Sequence, residues 1–225
     1  MDALRRHRLV RLSRDGWASV LARVWDAPAR HCLAHWAAHG LPLVVTRQSP
    51  GAGDLIALGL PAPTRWERRR IALHVPRGSV ACFEEFPELG EVLPWLPQPA
   101  RAAACRLQDG LGACGAQARI YGSHGWQVLS GLDHVRPGSD LDVCVQVEDA
   151  AQADEVAHRL TDWGVEQPRL DGELMFPDGS AVAWREWSGW RATRTRAVMV
   201  KGLTGAMLCR HASCLEAASL AALAA

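Results

Sequence analysis

A chain of 225 residues, 48% hydrophobic and 22% charged, is long enough to bury a core and has a globular balance, which excludes a disordered or fibrous chain. No apolar run reaches transmembrane length, and the charged start from Met1 to Arg8 leads into no signal-type apolar segment, so a cytoplasmic protein without membrane attachment is expected. The net charge of +1 conceals a division: residues 1–70 hold twelve arginines against five acids, the remainder thirteen basic residues against nineteen acids.

That asymmetry implies that the N-terminal part faces an anion: a phosphate-rich ligand, an acidic protein, or the other half of the chain. Nucleic acid is not expected, because the excess is local and lacks the aromatic–basic interleaving of strand-binding proteins. The seven cysteines are scattered without a C-x-x-C pair and read as reduced structural thiols. Cys144 falls in a strand pattern and Cys209 on an expected helix; Cys209, His211 and Cys214 match no zinc spacing. Lys201 is the single lysine among 25 basic residues, a hint that a compact ammonium is required there.

In chain order, residues 15–25 carry apolar side chains near helical spacing (Trp17, Val20, Leu21, Val24). Pro28 interrupts, and residues 31–39 form a second expected helix stopped by Gly40. A strand over 41–47 precedes a Gly/Pro-rich passage, a basic segment at 66–70 and a strand over 71–75. Pro87, Pro94, Pro97 and Pro99 oppose a continuous helix or sheet and mark a joint near 85–99, with Glu84, Glu85, Glu88 and Glu91 as an exposed face. Beyond it the order reads βαβαββ: strand 118–121, a Gly122-Ser123 turn, helix 124–132, strand 141–147 and helix 150–163. Strands 173–176 and 181–187 then flank the turn Pro177-Asp178-Gly179-Ser180, followed by a strand over 196–201 and a fraying Ala-rich helix after Leu215. The expected division is a basic N-terminal α/β domain, 1–90, and a catalytic domain, 91–225.

Chemistry concentrates at Asp140-Leu141-Asp142. Alternate strand residues share a face, so both carboxylates project together, and like charges that close call for a divalent cation such as Mg²⁺. Gly122-Ser123 lies between a strand and a helix start, where free N–H groups and the helix dipole favour an anion. His124 beside it reads as a capping or packing residue before a phosphate contact.

Strand, Gly-Ser, helix and Asp-x-Asp on the next strand resemble the DNA polymerase β-like nucleotidyltransferase superfamily. Four segments go further: Tyr121-Gly122-Ser123-His124-Gly125-Trp126-Gln127, Arg136-Pro137-Gly138-Ser139-Asp140-Leu141-Asp142-Val143, Asp171-Gly172-Glu173-Leu174 and Val182-Ala183-Trp184-Arg185-Glu186. With Gly40-Leu41-Pro42-Leu43-Val44-Val45-Thr46-Arg47 they resemble the phosphoribosyl-dephospho-CoA transferases of bacterial malonate decarboxylase.

The resemblance implies an α+β fold: a mixed nucleotidyltransferase sheet with helices, plus a smaller N-terminal α/β domain that binds donor or carrier protein. It implies transfer of a phosphoribosyl-dephospho-CoA group from triphosphoribosyl-dephospho-CoA to a serine of an acyl-carrier protein, releasing pyrophosphate. Asp140 and Asp142 become the ligands of Mg²⁺, two ions with substrate bound, and Glu173 or Glu186, on opposite arms of the expected hairpin, the third carboxylate. Gly122, Ser123, Arg136, Arg185 and Lys201 become substrate contacts. Two alternatives remain: another nucleotidyltransferase acting on a protein or small molecule, and a non-catalytic module on the same fold.

Overall fold

The computed structural model describes residues 4–210. His211, Cys214 and the expected Ala-rich helix lie outside the described residues. Among the described residues, no helix is long and apolar enough to cross a membrane.

The N-terminal part builds an antiparallel sheet of five strands: β1 (Leu9–Leu12), β2 (Leu43–Val45), β3 (Leu55–Pro61), β4 (Arg70–Pro76) and β5 (Val80–Glu84), in the order β4-β3-β2-β1-β5. Helices α1 (Arg14–Leu21) and α2 (Ala27–Ala38) supply Trp17, Val20, Leu33 and Trp36 to the same core as Leu9, Leu43, Ile56, Leu58 and Leu73. Ser13 caps α1 by accepting from the Gly16 N–H at 3.1 Å, and Asp26 caps α2 by accepting from the Ala29 N–H at 2.9 Å. Pro28 therefore opens α2 instead of interrupting it: proline in the first turn gives up an N–H that had no intrahelical acceptor.

The second part adds α3 (Leu89–Val92), α4 (Gln98–Ala113), β6 (Ala118–Ile120), α5 (Gly122–Ser130), β7 (Leu141–Gln146), α6 (Ala150–Thr161), β8 (Leu170–Met175), β9 (Ala181–Ala183), α7 (Trp184–Arg191), β10 (Val198–Lys201) and β11 (Ala206–Cys209). Its sheet runs β11-β10-β9-β8-β7-β6, antiparallel throughout except for the parallel β7–β8 pair. Leu141, Val143 and Val145 point to one face, where α4, α6 and α7 close a core containing Leu107, Val156 and Trp187. Asp142, Cys144 and Gln146 therefore point to the other face, toward the N-terminal sheet. The fold is α+β, as expected.

Three local expectations are overturned. The proline-dense stretch is followed at once by α4, because Pro99 again occupies a first turn. The second hairpin arm ends at Ala183 and residues 184–191 are helical, so Glu186 and Arg185 stand on α7 and not on a strand. Trp184 and Trp187 become the buried face of this helix. Cys209 lies on strand β11, paired with Val198, and not on a helix.

The acids expected to be exposed are engaged. Glu85 holds Arg5 and, at 2.5 Å, Arg8; Glu84 meets Arg11 at 2.6 Å. Glu88 and Glu91 form the capping box of α3. Much of the N-terminal positive excess is thus neutralised within the chain.

Candidate active site

Strand β6 ends at Ile120, and the Tyr121 N–H donates to the Asp142 carbonyl at 3.0 Å, tying the start of α5 to β7. Gly122 begins the helix with φ at +60°, and a Cβ there would stand 1.9 Å from Asp142 Oδ2. Glycine is therefore required twice over: for the left-handed conformation and for the space filled by a carboxylate. The first N–H groups of α5 have no intrahelical acceptor, and no side chain caps them. Gly122 and Ser123 line a cavity of about 810 Å³ together with Asp140 and Asp142.

The parallel register sets Asp142 directly beside Asp171 on β8. Asp140, Asp142 and Asp171 thus crowd together at one end of the neighbouring strands β7 and β8. Arg169 donates to both oxygens of Asp140, at 3.1 and 2.6 Å, and to Asp171 at 3.3 Å. Its hydrogen bonds hold the Asp140 carboxyl below the usual carboxylate range. Among the described residues, no hydrogen-bond donor or ion pair reaches the Asp142 side chain. Burial, followed by the charges of Asp140 and Asp171, pushes its pKa up to about 7.

A half-buried carboxylate with two acidic neighbours and no ion-pair partner among the described residues fits a divalent cation. Among the described residues no three His, Cys, Asp or Glu side chains already form a closed ligand set. Arg169 occupies that role toward Asp140 and Asp171, while Asp142 has an oxygen facing the cavity.

The other expected site residues separate. Glu173 is buried and saturated: it accepts from Lys201 at 2.7 Å, meets His7 Nε2 at 2.7 Å and accepts from Arg6 at 3.2 Å. Burial alone would raise its pKa, but His7, Lys201 and Arg6 together hold it well below the ordinary range. Lys201 is committed to that carboxylate. Glu186 accepts from the Met199 N–H at 3.3 Å, outside the cavity lining. Arg185 donates to the Leu170 carbonyl at 2.9 Å, stacks over Trp184 and lines a different depression with Arg169. Of the three expected cations only Arg136 lines the cavity that holds the aspartates. His124 is buried, both ring nitrogens lack a partner, and burial lowers its pKa; it packs.

Sequence reading missed Asp171, Arg68 and Arg70. Asp171 carried a usable signal, since it follows Arg169 and heads a strand two residues before Glu173. Arg68 and Arg70 had none beyond the basic run, because the cavity wall they form belongs to the other sheet.

A carboxylate-lined cleft between a helix start and a basic wall suits group transfer, and the family models and named relatives make the chain a transferase. It is a member of the phosphoribosyl-dephospho-CoA transferase family: the model of the Phosphoribosyl-dephospho-CoA transferase MdcG C-terminal domain matches residues 88–212, and that of the N-terminal domain residues 5–86. Proteins named phosphoribosyl-dephospho-CoA transferase are similar throughout. The one from Bradyrhizobium diazoefficiens is 38% identical, covering 82% of this chain and 82% of its own. One from Xanthomonas campestris pv. campestris is 36% identical over 82% and 85%. One from Xanthomonas axonopodis pv. citri is 33% identical over 96% and 99%. No solved structure matches the chain. Membership of an enzyme family removes the non-catalytic alternative.

Proposed function

We propose that this enzyme transfers the 2′-(5″-phosphoribosyl)-3′-dephospho-CoA group from its triphosphate precursor to a serine of the malonate decarboxylase acyl-carrier protein in the cytoplasm, releasing pyrophosphate. The observation that carries the reading is the close approach of Gly122 and Asp142: a carboxylate is held against a helix start that suits phosphate. The name that the relatives share supports the CoA-derived donor.

In this mechanism the N–H groups of Gly122 and Ser123 and the Arg136 guanidinium bind phosphate oxygens and orient the chain in line with the entering serine. The serine oxygen forms a bond to the α-phosphorus, the bridge to the β-phosphate breaks, and pyrophosphate departs with that electron pair. The carboxylate of Asp171, beside Asp142 in the parallel register, takes the serine proton. Asp140 and Asp142 would hold Mg²⁺, which would supply a more acidic serine hydroxyl and charge neutralisation of the leaving group.

Intact mass of the carrier protein after incubation with enzyme, Mg²⁺ and donor tests this. The wild type adds one prosthetic group per carrier, and Asp142→Asn loses at least about a hundred-fold in rate. Transfer from ATP in place of the CoA-derived donor, or an undiminished Asp142→Asn, defeats the reading.

A further inference from the structure

The two best-formed cavities lie toward opposite ends of one sheet face. One, about 530 Å³, is lined by Arg5, Arg6, His7 and Arg119, but these arginines already meet Glu85, Glu173 and Glu88. The catalytic cleft differs: Arg68, Arg70 and Arg136 line it, all three are exposed, and among the described residues none makes an ion pair. Three uncompensated guanidinium groups thus share a cavity with Asp140 and Asp142, so a bound group must satisfy cations on one wall and carboxylates on the other.

The arginines are built in at some cost. Glu67 and Arg68 both adopt left-handed backbone, φ +59° and +55°, where side-chain-bearing residues are strained. The turn is held by the Arg68 N–H donating to the Pro63 carbonyl at 3.3 Å and the Ala62 N–H donating to the Arg69 carbonyl at 2.8 Å. Thr64 donates to the Asp133 carbonyl through both N–H and Oγ1, each at 3.0 Å, and Arg68 Nη1 donates to the His134 carbonyl at 3.3 Å. The tip of the β3–β4 hairpin is thereby fixed to the segment that carries Arg136 and leads into Asp140.

We propose that Arg68, Arg70 and Arg136 form a polyphosphate clamp opposite the aspartates, so that the N-terminal sheet recognises the donor's phosphate chain. The clamp rests on the transfer reading above for its substrate, but not for its ligand chemistry. Arg68 and Arg70 bring charge from one sheet and Arg136 from the loop before β7, and a phosphate chain between them is neutralised on the side away from the carboxylates.

Calorimetric titration with inorganic tripolyphosphate at fixed Mg²⁺ tests the clamp. Arg70→Ala and Arg68→Gly are each expected to weaken binding about ten-fold or more. Arg23→Ala, which removes an exposed arginine outside the cleft, leaves it unchanged. Arg70→Ala gives up no hydrogen bond or ion pair among the described residues, so its melting temperature holds while affinity falls, a combination that a purely structural arginine does not produce. Wild-type affinity in Arg70→Ala and Arg68→Gly, or no binding by the wild type, overturns the clamp. Arginine-dependent tripolyphosphate binding without carrier modification would uphold the clamp and defeat the transfer reading. Normal transfer by both variants, with unaltered donor KM, would do the reverse.

Discussion

Gly122→Ala isolates the geometry on which the site depends. An added Cβ would stand 1.9 Å from Asp142 Oδ2, whereas ordinary contact needs roughly 3.5 Å, so the carboxylate or the helix start must move by more than about an ångström. Displacement of that size at a reacting centre costs about a hundred-fold in rate. The left-handed alanine itself costs roughly 1–2 kcal/mol, or about 2–8 °C in melting temperature for a chain of this length. Gly131, at the other end of the same helix with φ +69° and nothing within 4 Å of an added Cβ, supplies the control. Carrier modification and thermal melts on both variants separate strain from collision. Gly131→Ala should lose the few degrees and keep its rate; Gly122→Ala should lose both. Transfer by Gly122→Ala within a few-fold of wild type, or an equal loss in Gly131→Ala, refutes the reasoning.

Glu173→Gln should cost stability before metal affinity. The buried carboxylate gathers Arg6, His7 and Lys201, and removing its charge strands the Arg6 and Lys201 cations, a loss of about 3–5 kcal/mol and roughly 10 °C in melting temperature. A normal melt with abolished Mg²⁺ binding would instead make Glu173 a ligand. His134 gives a pH dependence: burial, then the charge of Arg68, lowers its pKa to about 4 from an ordinary 6.5. The unfolded chain binds that proton first, so this contribution is full above pH 6.5 and disappears as pH falls toward 4, up to about 3 kcal/mol. Urea midpoints at pH 4.5 and 7.5 should therefore diverge less in His134→Gln than in the wild type; equal divergence removes the argument.

The C-terminal half was the more legible part, and the reason is local. Strand β7 and helix α6 satisfy their own periodicities, and the Gly-Ser turn and the Asp-x-Asp pair act within a few residues of where they stand. Strands β1, β3 and β5 were missed because their residues carry no clean alternation of apolar and polar side chains and are fixed as strands by pairing. The four prolines misled in one respect: a proline that forbids the interior of a helix is compatible with its first turn, as α4 shows. Residues 184–187 follow directly on the hairpin arm with no turn residue between, and only packing against β8 and α6 makes Trp184 and Trp187 one face of a helix.

By itself the sequence determined that two carboxylates share a strand face next to a glycine-led helix start, because alternation and turn chemistry are properties of neighbouring residues. Tertiary structure decided which other charges join them. Parallel pairing brought Asp171 beside Asp142, the N-terminal segment converted Glu173 into the centre of an ion cluster, and the β3–β4 hairpin delivered Arg68 and Arg70 to the cleft. Those outcomes depend on the register between strands and on the docking of one sheet against another, where interaction falls off with distance in space and not with separation along the chain.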